Sequence, residues 1–456
     1  MKTKNLTILA AVVVALLAYI VLFERHQPTS DEKRRDADKV LQGLETDDVT
    51  GLLVVGVDGQ VRLEKVGDDW WLREPLDYPA DATTVSSTLS SLAGLSADRR
   101  LAVDEVDTSE FGLDAPEAEV TLSMADGSDV SFVVGEEMSL GSKRPIRLAA
   151  STEIAITPGW FMTDLGREID DWRSREVTGV QSDQVASIEI EAGEDTIRAV
   201  RIGDAWRLLS PMEDVGDRDH LEALVSDLGA LRIEEFLDGE IDTSVLGLDA
   251  PEYSLMVVRS DGGEPLRLEL GATREGSGGS EVACRRGDGD YFWAQDRVRT
   301  RLSKAPVLWR SKKVADIDTW EVEGLRLTSS GATVELEKVD FQWRFAADAA
   351  EADQARVTDR LTALSELEAT DYDLMAPMTA EMGTAELRLS ADGDGSAKEP
   401  VIFTFFAPLG DGGRAMVRVS GRETLMGVDP AAVESIFANF DDLRPSAAIV
   451  EDPGAE

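Results

Sequence analysis

Cysteine occurs once in this chain, at Cys284, and histidine twice, at His26 and His220. A single thiol excludes an intramolecular disulfide and any multi-cysteine zinc or iron–sulfur site. Two histidines leave little for imidazole-based catalysis. Basic residues are also scarce: 46 Lys and Arg stand against 89 Asp and Glu, a formal charge of −43. Phosphate recognition needs clustered cations, so nucleic acid is excluded as a natural partner. A flat seat on anionic lipid is equally disfavoured. What the chain does have is a 43% apolar content, enough for packed cores. Its 456 residues suggest about three domains, at roughly 150 residues each. No reaction can be read from this composition.

Residues 6–23 (LTILAAVVVALLAYIVLF) carry no charge and no proline. As a helix they reach about 27 Å, close to the ~30 Å hydrocarbon core of a bilayer. Lys2 and Lys4 precede the run and favour a cytoplasmic N-terminus, whereas Arg25, Lys33, Arg34 and Arg35 on the far side oppose it. A cleaved signal peptide is the competing reading, but the run is long for one and ends in Tyr19, Ile20, Leu22 and Phe23 where small residues are needed. No cysteine follows it, which excludes a lipoprotein anchor. The expectation is a stub and signal anchor over 1–28 in the inner membrane, a polar spacer over 29–46, and a periplasmic remainder.

That remainder repeats itself. Residues 106–117 read VDTSEFGLDAPE and residues 241–252 read IDTSVLGLDAPE, identical at nine of twelve positions. Other markers keep nearly the same offset: Trp71 with Trp206, and Trp172-Arg173-Ser174-Arg175 with Trp309-Arg310-Ser311-Lys312. A third, degenerate copy shows Trp343, the degraded motif Leu374-Met375-Ala376-Pro377 and the terminal Asp442-Leu443-Arg444. The apolar stripe Val85, Leu89, Leu92 recurs as Leu221, Val225, Leu228 and as Val357, Leu361, Leu364. Repeats are therefore expected over 47–178, 181–314 and 315–446, with an acidic tail over 447–456.

Within a unit the periodicity switches in a fixed order. Alternation around Asp58-Gly59 predicts a hairpin, the Trp-bearing segment a third strand, and Asp81 the cap of a helix with one apolar stripe. The GLDAPE turn follows, then a second hairpin around Asp126-Gly127 or Asp261-Gly262-Gly263, two more short strands, and a closing helix over 163–172. The expected class is α+β: three tandem, mainly antiparallel sheets with packed helices behind an N-terminal transmembrane helix.

Together the anchor, the Trp strands ending in Pro75 and Pro211, the motif at Phe111–Pro116 and Leu246–Pro251, and the WRSRE/WRSKK element resemble a bacterial family known only as domain of unknown function 4340. The resemblance covers most of 47–446. It implies an anchored envelope protein, often encoded beside an ABC-type transport system of the kind linked to gliding-motility accessory proteins. It implies a membrane-protein partner and supplies no catalytic residues.

The residues that stand out are Gly112, Leu113, Asp114 and Pro116, their counterparts Gly247, Leu248, Asp249 and Pro251, and the pairs Trp172-Arg173 and Trp309-Arg310. Each set is either an interaction motif or shared repeat geometry; Gly and Pro alone make a turn without any ligand. Trp70, Trp71, Trp206 and Trp343 form either a carbohydrate-stacking platform or the core of each unit. Asp392-Gly393-Asp394-Gly395-Ser396 starts like a calcium loop, yet Ala397 replaces the required glycine and Phe403 the bidentate glutamate. That stretch and Asp288-Gly289-Asp290 read as hairpin tips. His220 is expected to face solvent and Cys284 to be a half-buried, unactivated thiol. No catalytic, metal or cofactor residue is nominated. The functional expectation is an extracytoplasmic binding or scaffold protein accessory to an ABC-type transport or envelope assembly, and not an enzyme. The alternatives are an envelope hydrolase or glycan-binding protein with a site between repeats, and a mechanical spacer.

Overall fold

The computed structural model of the chain describes residues 38–57, 59–139, 141–372, 380–391, 396–407 and 414–445. The chain divides into two compact units, Met1–Arg175 and Glu176–Glu456. Among the described residues the first unit holds one antiparallel sheet and the second holds two, so the repeated α+β architecture is present three times.

In the first sheet, strands β1 (Val49–Gly56), β2 (Gly59–Val66), β3 (Asp69–Glu74) and the two-residue β4 (Tyr78–Pro79) form a meander running to one edge. Helix α1 (Ala82–Ala93) then carries the chain to the opposite edge, where β5 (Arg99–Ala102) lies. β6 (Ala118–Met124) returns to the centre beside β1, and β7 (Asp129–Val134), β8 (Lys143–Leu148) and β9 (Glu153–Pro158) fill the gap out to β5. β5 pairs with β9, a partner about fifty residues later in the chain. The second sheet repeats this order with β10 (Val185–Ala192), β11 (Asp195–Ile202), β12 (Ala205–Ser210), β13 (Asp214–Val215), β14 (Ile233–Leu237), β15 (Tyr253–Arg259), β16 (Leu266–Gly276), β17 (Gly279–Arg286) and β18 (Asp290–Gln295). The third does so with β19 (Val322–Ser329), β20 (Ala332–Val339), β21 (Gln342–Phe345), β22 (Asp371–Tyr372), β23 (Glu381–Leu389), β24 (Val401–Phe406), β25 (Ala415–Val419) and β26 (Arg422–Val428). There the counterpart of β4 is reduced to a single bridge between Arg344 and Glu351.

The helices α1, α2 (Arg218–Gly229) and α3 (Gln354–Ser365) form for one local reason, an aspartate at each N-cap. The Asp81 carboxylate accepts from the Thr84 amide at 2.7 Å, Asp217 from that of His220 at 3.0 Å, and Asp353 from those of Ala355 and Arg356 at 3.1 Å. A side-chain oxygen there satisfies backbone donors that the first helical turn leaves open. The stripe that follows is buried in each copy, so every helix is an amphipathic bar laid on its own sheet. Beneath it sit Leu52, Leu63 and Trp70 in the first core and Leu325, Leu336 and Trp343 in the third.

The closing helix expected over 163–172 is instead three short pieces, Gly159–Phe161, Met162–Leu165 and Ile169–Trp172. Gly166 ends the second piece and Glu168 is extended, so the helical hydrogen-bond ladder cannot run through. Among the described residues no helix is long and apolar enough to cross a membrane. The span at 6–23, the degraded motif at 374–377, the run at 392–395 and the tail over 447–456 lie outside the described residues.

Candidate functional site

The GLDAPE element is a pinned turn. In the first copy the Asp107 carboxylate accepts from the Ser109 amide and hydroxyl, starting a short turn at Thr108–Phe111. Those bonds, the hydroxyl first, hold the Asp107 carboxyl below the usual range. Gly112 then takes φ +65°, a left-handed conformation that favours glycine. Leu113 is buried with Ile154 and Ile156, and the Thr108 hydroxyl donates to Asp114 at 3.0 Å. The second copy reproduces each contact: Asp242 caps Ser244, Gly247 has φ +68°, Leu248 is buried, and Thr243 donates to Asp249 at 2.5 Å. Pro116 and Pro251 end the turn ahead of β6 and β15. The turn also crosses another backbone closely. A Cβ at Gly271 would overlap the Leu246 carbonyl oxygen, and one at Gly135 the Phe111 carbonyl oxygen. Gly, Leu, Asp and Pro thus each have a structural role in this turn.

The Trp-Arg pairs do two different jobs. Trp172 and Trp309 are fully buried beside α1 and α2. Their carbonyls accept from the amides of the helix caps, Asp81 at 2.8 Å and Asp217 at 2.7 Å, as Leu443 does for Asp353 at 2.8 Å. Each repeat therefore ends by sealing the start of its own helix. The arginine that follows is buried in the first two copies and exposed in the third, and its partner changes from copy to copy. Arg173 lies 4.5 Å over the Tyr78 ring and pairs with Asp170 at 3.1 Å. Arg310 meets Asp214, the residue in the place of Tyr78, at 3.5 Å. Arg444 lies 4.2 Å over Phe345 and pairs with Asp348 at 3.0 Å.

Asp214 is the centre of a buried polar cluster that joins the second and third repeats. Arg422, from β26 of the third repeat, pairs with Asp214 in β13 of the second, and the two side chains are 3% and 0% exposed. The Thr424 hydroxyl donates to the same carboxylate at 2.9 Å. The Arg422 guanidinium also donates to the carbonyls of Lys313 at 2.7 Å and Ser311 at 3.0 Å. Tyr372 lies under both arginines, 4.9 Å from Arg310 and 5.8 Å from Arg422, and donates to the Ser311 carbonyl at 2.8 Å. Burial pushes its phenol up. One carboxylate thus serves two guanidiniums away from water; the Arg422 N–H groups also find carbonyls, whereas the buried Arg310 Nε makes no hydrogen bond. Nothing in the sequence nominated Asp214; the available signal was an acid where the first copy has a tyrosine.

The other acids peculiar to the second repeat are also engaged. Glu269 is buried between Arg267, at 2.9 Å, and Arg285, and Glu281 is paired with Arg274 at 2.7 Å. Trp70, Trp206 and Trp343 are buried in their cores, while Trp71 is half-buried under Arg73 at 5.2 Å. Arg286 pairs with Asp290 beside the Asp288–Asp290 tip. Among the described residues no group of three or more His, Cys, Asp or Glu is placed to hold a metal.

Two expectations are corrected. His220 does not face solvent: it is 4% exposed and meets Trp309 edge-to-face at 4.6 Å, because the third position of α2 points down at the closing tryptophan. Burial, and then Lys304, press its imidazole down to about 4. Cys284 is fully buried in β17, where burial pushes the thiol well above its ordinary range.

The repeat geometry meets an independent observation in sequence comparison. The family described as Domain of unknown function (DUF4340) matches residues 70–251 and again residues 206–390. The chain belongs to this family. The two matches begin at Trp70 and Trp206, the core tryptophans of repeats one and two. Strand register makes Trp70, and not the Trp71 expected from the sequence offset, the counterpart of Trp206, so the family's unit runs from the third strand of one repeat into the next repeat. No curated protein matches the chain. Among solved structures, a DnaN sliding clamp (DNA polymerase III subunit beta) from Pseudomonas aeruginosa bound to griselimycin matches at 11% identity, over 86% of this chain and 94% of that one. The TM-score is 0.15, too slight a likeness to bear on fold or function.

Proposed function

We propose that the chain is a single-pass, membrane-anchored extracytoplasmic binding or scaffold protein, accessory to an ABC-type transport or envelope assembly in the inner membrane, and not an enzyme. The observation that carries this reading is the buried Asp214–Arg422 clamp, which fixes repeats two and three as one body. A clamp of that kind suits a protein whose task is to hold surfaces at set positions. The uncharged run at 6–23 preceded by Lys2 and Lys4 supports the anchor, and the resemblance stated above supports the transport setting. The −43 charge acts as a solvated coat and keeps the surface from nucleic acid and anionic lipid. The test combines topology with co-purification. A C-terminal reporter pair should read periplasmic, and extraction of native membranes should recover the chain with an integral membrane partner. A cytoplasmic C-terminus, or recovery of the chain alone, would sink the proposal.

A further inference from the structure

The three repeats provide an internal comparison: a position shared by all three serves the fold, and one that departs in a single copy calls for its own explanation. Two exposed positions depart together in the third. In the short turn before the first strand, repeats one and two carry Asp47 and Asp183, while repeat three carries Trp320. In the turn between the second and third strands they carry Asp68 and Asp204, while repeat three carries Phe341. All four aspartates are exposed; Trp320 is 71% exposed and Phe341 93%. The two lie at the same end of the third sheet, since Lys338 of β20 donates to the Trp320 carbonyl at 3.3 Å and Phe341 follows three residues later. Val339, at 45% exposure, extends the apolar surface.

The backbone makes the substitution harder to explain by folding. Where the first two turns use Gly67 and Gly203, the third uses Asp340 at φ +50° and Phe341 at φ +65°. A bulky side chain in the left-handed region is strained. Phe341 offsets none of that strain by burial.

We infer that Trp320, Val339 and Phe341 form a docking surface for a partner protein that presents an apolar socket rimmed by Lys or Arg. The charge selects the occupant. Asp318, Glu323 and Asp340 flank the rings along the chain, are exposed, make no ion pair among the described residues, and outnumber Lys338, which donates to the Trp320 carbonyl. An acidic rim around an apolar centre matches a cationic rim around a socket. The −43 charge opposes a second copy of this chain and an anionic bilayer alike. The inference rests on the reading of the chain as a binding protein and goes beyond it by naming the surface and the chemistry.

The test uses the full chain in native membranes. A photo-reactive phenylalanine analogue is placed at 341 and, separately, at 204, and adducts are identified by peptide mass spectrometry. Co-purification is compared between wild type and Trp320→Asp/Phe341→Asp, which restores the residues of the other repeats. The expected result is an adduct specific to 341, on a partner peptide with Lys or Arg beside apolar residues. Loss of co-purification should exceed about tenfold in the double variant and deepen with salt. Thermal stability should stay unchanged or rise, because the strained turn is relieved; a fall would assign the rings to the fold and overturn the inference. Adducts only to lipid, only to the chain itself, or equally from 204 would overturn it too. If wild type recovers a partner that the double variant retains, this surface is refuted and the binding reading stands. If wild type recovers none, both fall.

Discussion

Removing Asp214 should damage the protein more than removing Arg422, although the two form one ion pair. The cluster holds one carboxylate and two guanidiniums. Asp214→Asn leaves Arg310 and Arg422, both about 3% exposed, facing each other without an anion, and replaces one of the two acceptor oxygens, which serve Arg422 and Thr424 separately, with an NH2 donor. An uncompensated buried charge costs about 3–5 kcal/mol. Arg422→Met keeps the aliphatic volume and leaves Asp214 with Arg310 at 3.5 Å, the Thr424 hydroxyl at 2.9 Å and the Val215 amide at 2.8 Å. What is lost then is the set of bonds to backbone carbonyls, roughly 1.5–3 kcal/mol. In the double variant only Arg310 remains charged, so the combined cost should fall short of the sum by about 1.5 kcal/mol or more. Against a total of about 5–15 kcal/mol for a domain these differences are easily read. Scanning calorimetry of the full chain is the assay, since it also reports whether repeats two and three still melt as one transition. If Arg422→Met proves as costly as Asp214→Asn, or the two add to within about 0.5 kcal/mol, the account of the cluster is wrong.

His220 supplies a pH prediction. Its folded value of about 4 lies below the ordinary 6.5, so the unfolded chain takes the proton first. Its contribution is fully present above 6.5, is lost as pH falls towards 4, and amounts to about 3 kcal/mol. Melting temperature against pH should therefore fall less steeply in His220→Thr, which copies Thr84 of repeat one; parallel curves would refute this. Gly271→Ala should cost at least about 2 kcal/mol and expose the 242–251 turn to limited proteolysis, because the new methyl overlaps the Leu246 carbonyl. Cys284 should react with a thiol reagent only at the rate of unfolding, and labelling of the native chain at pH 8 would contradict its burial.

The repeats, the helix caps and the buried stripe were legible in the sequence because each depends on near neighbours. Asp81, Asp217 and Asp353 act within three residues, and a stripe at Val85, Leu89 and Leu92 follows from helical spacing. What was not legible depends on distant residues. The pairing of β5 with β9 leaves no local mark, since a four-residue edge strand looks like any short extended run. His220 and Cys284 were misjudged because their burial is decided by Trp309 and by the middle of a sheet, not by their neighbours in the chain. Asp214 was missed because its worth lies in Arg422, some two hundred residues on. For the Gly and Asp of the GLDAPE turn the sequence leaves motif and geometry open, and the Thr108–Asp114 and Thr243–Asp249 bonds support geometry.

The bond from the Asp81 amide to the Trp172 carbonyl has a consequence for how the chain is made. Synthesis delivers residues in order, so α1 emerges long before the segment that seals its cap, and β5 waits for β9. A repeat of this kind cannot close from its front. Each one stays ajar until its own last residues arrive, and the carbonyl of Trp172, Trp309 or Leu443 acts as the latch. A nascent chain stalled before residue 172 should therefore remain sensitive to protease as a whole, and become resistant in one step once those few residues are free.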